Sequence, residues 1–305
     1  MKMNADLNEK KGSVCADAVG NPLPTALAMH DLSCLGRCAL TVVLPTLSAA
    51  GVQAVPIPTV LLSTQTDGFE GYYFEDLTEQ MCSIARHLKE IDTRFDAIYT
   101  GFLGSEGQID KVGEIIKMFS ERENGGKTLV LVDPVMGDNG RLYDTYTPEM
   151  MLGMRRLIEK ADVITPNITE ACFLTDSEYV DTRRFSKEEV LEYASGVAEK
   201  LKSFGVDKIA ITGLHYEKTR VATYSYDASA GECLHGSEHI PCSYPGTGDL
   251  FASVMLGFLL NGVAINDATE RASKFVKKVI KYTAGFNTPI RNGALFEPFL
   301  GELKP

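Results

Sequence analysis

"YPGTGDLFASVMLGFLLNG", residues 244–262, sets two glycines around a threonine, follows them with a carboxylate, and runs on into apolar residues. Gly246 and Gly248 can take backbone angles that larger residues resist, so the chain can turn sharply there and expose its amides. From Asp249 onward Phe251, Val254, Met255, Phe258 and Leu259 recur at helical spacing, and Asn261-Gly262 supplies a stop. The spacing predicts a helix that begins at or just before Asp249. Its first N–H groups lack intrahelical partners and carry roughly half a positive charge, which suits a phosphate. Asp249 then has two readings. As an N-cap it contributes about 1 kcal/mol. As a general base it takes a proton from a substrate hydroxyl while the amides of Gly246, Thr247 and Gly248 hold charge on a transferred phosphoryl group. The stretch alone leaves both open.

Composition narrows the function classes. A chain of 305 residues with 44% hydrophobic content can bury a large core. The net charge of −11, with no basic run, argues against nucleic acid or an anionic membrane as partner. An acidic enzyme that handles nucleotide phosphates needs a cation. The cysteines, seven in number, include no C-x-x-C pair, which argues against a disulfide framework and points to a reducing, cytosolic setting. No apolar run approaches the ~20 residues of a membrane span, and the first residues have no apolar signal core. Residues 1–24 are read as a loose leader, and 25–305 as the working domain.

After the leader, strand-like runs stand at 25–30, 52–60, 96–100, 128–133, 162–165 and 208–212, with helical patterns near 37–50, 72–91, 105–121, 148–160 and 186–204. That alternation predicts an α/β fold with a mostly parallel sheet covered on both faces. "TLVLVD" at 128–133 is nearly all apolar, as a strand buried on both sides should be. "VATYSYD", "GECLHG" and "SEHIPC" read as a small antiparallel patch before two closing helices, 249–261 and 266–284.

Open parallel sheets bind ligands at the carboxyl ends of their strands. The polar groups of this chain fall there: "HDLS", "STQTDGFEG", "TGFLGS", "DPVMGDNGRLYD", "TPNITE" and the Thr212-Gly213 pair each follow a predicted strand.

"TGFLGS", "VLVDPVMGDNGRLYD", "ITPNITEACFLT" and "GTGDLFAS", in this order and spacing, resemble the pyridoxal kinase group of the ribokinase-like superfamily, from about Thr25 to about Asn287. The resemblance implies a three-layer α/β/α fold, ATP and Mg²⁺, a monovalent cation such as K⁺, and a homodimer. It makes Asp249 the base for the 5′-hydroxymethyl group of a B6 vitamer, with Gly246, Thr247 and Gly248 as the anion hole. Asn167 and Glu170 match the N-x-x-E element that places Mg²⁺ and phosphates. Asp133 and Asp138 match acidic positions near the metal and nucleotide, Asp133 and Glu170 being the metal-side pair. Tyr143 and Thr165 lie nearby, and Thr212-Gly213 and Thr247 fall at the nucleotide pocket. On the vitamin side stand Asp31, Leu62, Thr66 and Phe102. Some members have serine in place of Asp31, an aromatic ring in place of Leu62 and tyrosine in place of Phe102, so the vitamer preference is the part the resemblance does not carry.

Other readings compete. Asn167 and Glu170 fit a helix capping box as well as a metal site. Cys233, His235, His239 and Cys242 are zinc-ligand types, but their spacing departs from structural zinc patterns, and the segment is read as two short strands of a hairpin. His30 is read as a strand-end polar group and His87 as a helix-surface residue. The expected activity is ATP-dependent phosphorylation of B6 vitamers. The alternatives are hydroxymethylpyrimidine phosphorylation and a catalytically silent vitamin- or nucleotide-binding protein, against which the intact Gly-Thr-Gly-Asp argues.

Overall fold

Leu129–Val132, "LVLV", is flanked on both sides by other strands and covered on both faces, as its unbroken apolar character demands. In the computed structural model, which describes residues 23–120 and 126–304, this strand lies in the middle of a nine-stranded sheet. In chain order the strands are β1 (Thr25–Leu35), β2 (Gln53–Thr64), β3 (Phe74–Asp76), β4 (Ala97–Thr100), β5 (Leu129–Val132), β6 (Gly137–Asp138), β7 (Arg141–Leu142), β8 (Val163–Ile164), β9 (Lys208–Tyr216), β10 (Arg220–Asp227) and β11 (Gly231–Glu238). The sheet runs β11-β10-β9-β8-β5-β4-β1-β2-β3, with β6 and β7 paired apart from it. From β9 through β2 all neighbours are parallel, while β10 and β11 at one edge and β3 at the other are antiparallel.

Helices α1 (Leu40–Ala49), α7 (Thr247–Leu260) and α8 (Ile265–Thr283) cover one face; α2 (Thr78–Glu90), α3 (Glu106–Ser120), α4 (Pro148–Ile158), α5 (Ile168–Leu174) and α6 (Lys187–Lys202) cover the other. Strand alternation feeds the two cores. Leu27 and Met29 of β1 join the core under α2–α6, whereas Ala26 and Ala28 join the core under α1, α7 and α8. The three-layer α/β/α expectation is met.

Several expectations need correction. The antiparallel patch is not separate but extends the main sheet, and "GECLHG" with the start of "SEHIPC" forms the single strand β11, held in register by all eight residues of β10. The helix expected over 72–91 begins at Thr78. The residues before it pair with β2 as β3, and the Asp76 carboxylate accepts the Thr78 N–H at 2.8 Å where the strand gives way to the helix. Strand β1 continues past His30 to Leu35 through a bulge between His30 and Leu32. The leader lies outside the described residues as far as residue 22, but Pro24 is already tied to the sheet, its carbonyl accepting Gln53 N–H at 2.9 Å.

Candidate active site

From β1 the chain moves to β2 on one side and then to β4 on the other, so a crevice opens at the carboxyl ends of β1 and β4. Helix α7 brings its first turn there. Its N-cap is Gly246, left-handed at φ 78°, where an added Cβ would lie 1.9 Å from the Arg37 carbonyl oxygen. Only glycine fits that turn. Thr247 Oγ1 donates to the Tyr244 carbonyl at 3.0 Å and closes it. Asp249 is therefore not the cap. Its carboxylate turns away from its own helix, and Oδ2 accepts the Ala39 N–H at 2.8 Å.

Three carboxylates gather around this crevice. Burial raises Asp249 to about 6, against the opposing pull of the Ala39 N–H. Asp31, 5% exposed, is raised by burial to about 7, the negative charge of Asp249 adding to the effect and the Ser33 hydroxyl, which donates at 2.7 Å, opposing it. Asp133 is raised to about 8 by burial and then by Asp249, while Thr165 Oγ1 donates to it at 3.0 Å. All three are more basic than ordinary carboxylates, and a cation or a proton donor brought among them would be held. On β1, His30 is fully buried with Nδ1 3.9 Å from Asp249 Oδ1, its ring edge-on to Tyr99 of β4 at 4.2 Å.

A fourth carboxylate, Glu170, is placed by α5 and the β6–β7 hairpin. Asn139 (φ 52°) and Gly140 (φ 75°) make the two-residue turn of that hairpin, a conformation Asn-Gly favours. Asn167 and Glu170 do form the capping box: Asn167 Oδ1 accepts Glu170 N–H at 3.0 Å, and Glu170 Oε2 accepts Asn167 N–H at 2.8 Å. They also fasten the hairpin, since Asn167 Nδ2 donates to the Gly137 carbonyl at 2.8 Å and Glu170 Oε1 accepts Met136 N–H at 3.1 Å. Burial, with the charge of Asp133, pushes Glu170 well above the usual carboxylate range. Tyr143 stands 44% exposed, its phenol pushed up by burial and by Glu170, Asp138, Asp133 and Asp249. Asp138 is exposed and holds the Asn139 N–H at 2.7 Å. Thr212 N–H donates to the Pro166 carbonyl at 3.0 Å, and Gly213 follows at φ 76°. Among the described residues no group of three or more His, Cys, Asp or Glu could hold a metal ion alone.

On the other side of the crevice, Leu62 of β2 is 2% exposed and pairs in register with Ser33 of β1 and Phe74 of β3. Phe102 is half-buried, its carbonyl accepting Thr59 Oγ1–H at 3.2 Å. Thr66 lies on the exposed turn after β2. In the cysteine–histidine segment, His235 Nε2 pairs with Ser225 Oγ at 3.0 Å while His239 packs edge-on against His215. A cavity of about 640 Å³ beside Phe185 and Lys218 holds none of the expected site residues.

A model of the family described as phosphomethylpyrimidine kinase matches residues 43–293. The chain belongs to the phosphomethylpyrimidine kinase family. Its family relatives include the pyridoxine/pyridoxal/pyridoxamine kinase of Bordetella avium, 28% identical over 284 residues that take in 87% of this chain and 88% of that protein. A candidate pyridoxal kinase of Caenorhabditis elegans is 30% identical, but the match takes in only 62% of this chain and 56% of that protein. Among solved structures, a candidate phosphomethylpyrimidine kinase of Bacteroides thetaiotaomicron, in an orthorhombic form with pyridoxal, superposes at a TM-score of 0.82 with 40% identity, covering 92% of this chain and 96% of that one.

In this family member, the sequence marked His30 only as a strand-end polar group and gave no sign of Ala39 or Tyr99. Tyr99 is fully buried with its hydroxyl 3.5 Å from the Asp249 carbonyl. Ala39 reaches Asp249 from 210 positions away, with a non-glycine φ of 48°. The one available signal was the stretch "HDLSCLGRCA", whose first six residues finish β1 and whose glycine opens the turn that leads to Ala39.

Proposed function

We propose that the chain is an ATP-dependent pyridoxal, pyridoxine and pyridoxamine kinase, which transfers the γ-phosphoryl group to the 5′-hydroxymethyl oxygen in pyridoxal 5′-phosphate salvage. The observation that carries the reading is Asp249: a carboxylate 14% exposed, in the first turn of α7, held by a distant N–H and free of its own helix cap. Its upward shift to about 6 leaves it ionised at neutral pH yet more basic than an ordinary aspartate. Asp249 accepts the hydroxyl proton as the oxygen attacks in line, and the N–H groups of Gly246, Thr247 and Gly248 face the charge on the phosphoryl oxygens. On the nucleotide side stand Asp138, Tyr143, Thr165, Asn167, Thr212 and Gly213. Asp31, Leu62, Thr66 and Phe102 form the vitamin side. The 40% identical neighbour with pyridoxal favours this substrate class.

The donor set suits Mg²⁺: Asp133 and Glu170 are buried, the charge of Asp133 raises the proton affinity of Glu170, and the two are too few to close a cage without water and phosphate oxygens. Mg²⁺ bound there would neutralise charge on the β- and γ-phosphate oxygens. K⁺ as monovalent cation, a homodimer, a cytosolic location and a single kinase domain over 25–305 complete the reading. No helix among the described residues is long and apolar enough to cross a membrane.

Turnover with each B6 vitamer and with hydroxymethylpyrimidine, under one concentration of Mg-ATP with and without K⁺, tests the reading. The expected result is higher kcat/KM for the vitamers. The family description favours hydroxymethylpyrimidine as the second reading. A higher kcat/KM for it would keep the role of Asp249 and transfer the function to that substrate.

A further inference from the structure

We propose that His30 is a positioning residue for the base: its neutral ring donates Nδ1–H to Asp249 Oδ1 in the working complex and, with the Ala39 N–H on Oδ2, fixes the plane of the carboxylate. The inference rests on the kinase reading above.

Alternation along β1 puts His30 on the face of Ala26 and Ala28, toward α7. There the ring is fully buried, and neither ring nitrogen has a hydrogen-bond partner among the described residues. Buried polar atoms without partners are costly, and an apolar side chain at this position would avoid the cost. The backbone nonetheless makes room for the ring: a Cβ on Gly101, at the end of β4, would lie 2.2 Å from His30 Nδ1. Asp249 Oδ1 stands 3.9 Å from that same nitrogen.

Chemistry selects the proton's place. Burial holds His30 down to about 3, so the ring is neutral at working pH and carries one N–H. An ionised carboxylate only accepts, so the nitrogen facing it must be the donor. The gap must close by about an ångström, as catalytic hydrogen bonds do when substrate fills a site. No proton leaves the ring. Each Asp249 oxygen keeps a further lone pair for the substrate hydroxyl.

The titratable groups facing Asp249 are Asp31 and His30 from β1, Cys38 ahead of α1, Tyr99 from β4, Asp133 after β5 and Tyr143 after β7. Asp31 and Asp133 repel it. Cys38 is a weak donor, and the Tyr99 hydroxyl approaches the Asp249 main-chain carbonyl rather than its carboxylate. His30 is the side chain placed to favour the charged form.

The test compares His30→Leu with His30→Asn, whose amide N–H can occupy the place of Nδ1. His30→Leu is expected to lose kcat on the order of 10²-fold, the cost of a misplaced catalytic group, with KM for vitamer and ATP close to wild type. The acid limb of its kcat/KM profile should move to higher pH, and His30→Asn should recover most of both. A folded His30→Leu protein with wild-type kcat and an unmoved acid limb overturns the proposal. If His30→Leu does not fold, the ¹⁵N shifts of the His30 ring in the wild-type protein with pyridoxal and a non-hydrolysable ATP analogue bound decide: an Nδ1–H tautomer supports the proposal and an Nε2–H tautomer overturns it. Wild-type turnover tests the kinase reading separately, and the tautomer is read without turnover, so the two failures are distinct.

Discussion

The N–H of Ala39 donates to Asp249 Oδ2 at 2.8 Å, joining the turn before α1 to the first turn of α7 across 210 residues of sequence. That bond is made by backbone, so it survives a change of Asp249 to asparagine, whose carbonyl oxygen can accept it. Asp249→Asn should therefore keep its fold and its nucleotide affinity while losing the ability to take the hydroxyl proton. Steady-state turnover is expected to fall by about 10²-fold or more, the range for loss of a general base. Turnover within a few-fold of wild type would remove Asp249 from the role.

The pH dependence has opposite signs for activity and stability. Burial raises Asp249 to about 6, so the base is ionised above that pH, and kcat/KM should fall as pH drops through it. Stability runs the other way, because a carboxylate that holds its proton more tightly folded than unfolded favours the fold at low pH. That contribution is lost as pH rises from the unfolded value near 4 through about 6. Asp249→Asn should thus show a Tm at or above wild type at pH 8, the gap closing below pH ~4. Thermal melts of both proteins across pH check the sign.

The sheet was legible in sequence where one strand's character decided the matter, as in the apolar run of β5. It was less legible where pairing decided. Whether His30 ends a strand or lies within one depends on β2, which keeps β1 extended past a bulge as far as Leu35. The motif residues around Asp249 and Glu170 stood out because glycines and carboxylates punctuate apolar runs. Ala39 and Tyr99 carried no such mark, since a backbone N–H and a buried ring look alike at any position. The short helix α5 hid inside "TPNITEACFLT", although its capping box was present in the spacing.

Glu170 caps α5 in this structure and is a Mg²⁺ ligand in the proposed mechanism, and Glu170→Gln separates the two. Glutamine retains one acceptor, so one of the bonds to Asn167 N–H and Met136 N–H is lost, and stability should fall by ~1 kcal/mol, typical of a cap. If the carboxylate also helps to hold Mg²⁺, the Mg²⁺ concentration for half-maximal turnover should rise while vitamer KM stays near wild type. A lower Tm with an unchanged Mg²⁺ titration would leave Glu170 as a cap alone.

The two glycines of Gly-Thr-Gly should respond differently to alanine. Gly246→Ala forces a Cβ to within 1.9 Å of the Arg37 carbonyl oxygen at φ 78°, so it should lose at least ~1–2 kcal/mol from the left-handed backbone alone, with the clash in addition. Around Gly248 nothing lies within 4 Å of the added carbon, and its backbone is helical. Alanine there should leave Tm unchanged or raise it, by up to ~1 kcal/mol of helix propensity. In the proposed mechanism the phosphoryl oxygens approach the amides through that open space, so the same methyl should lower kcat/KM for ATP. Gly248→Ala with raised Tm and intact kcat/KM would place the phosphoryl group elsewhere and remove the anion hole from the mechanism.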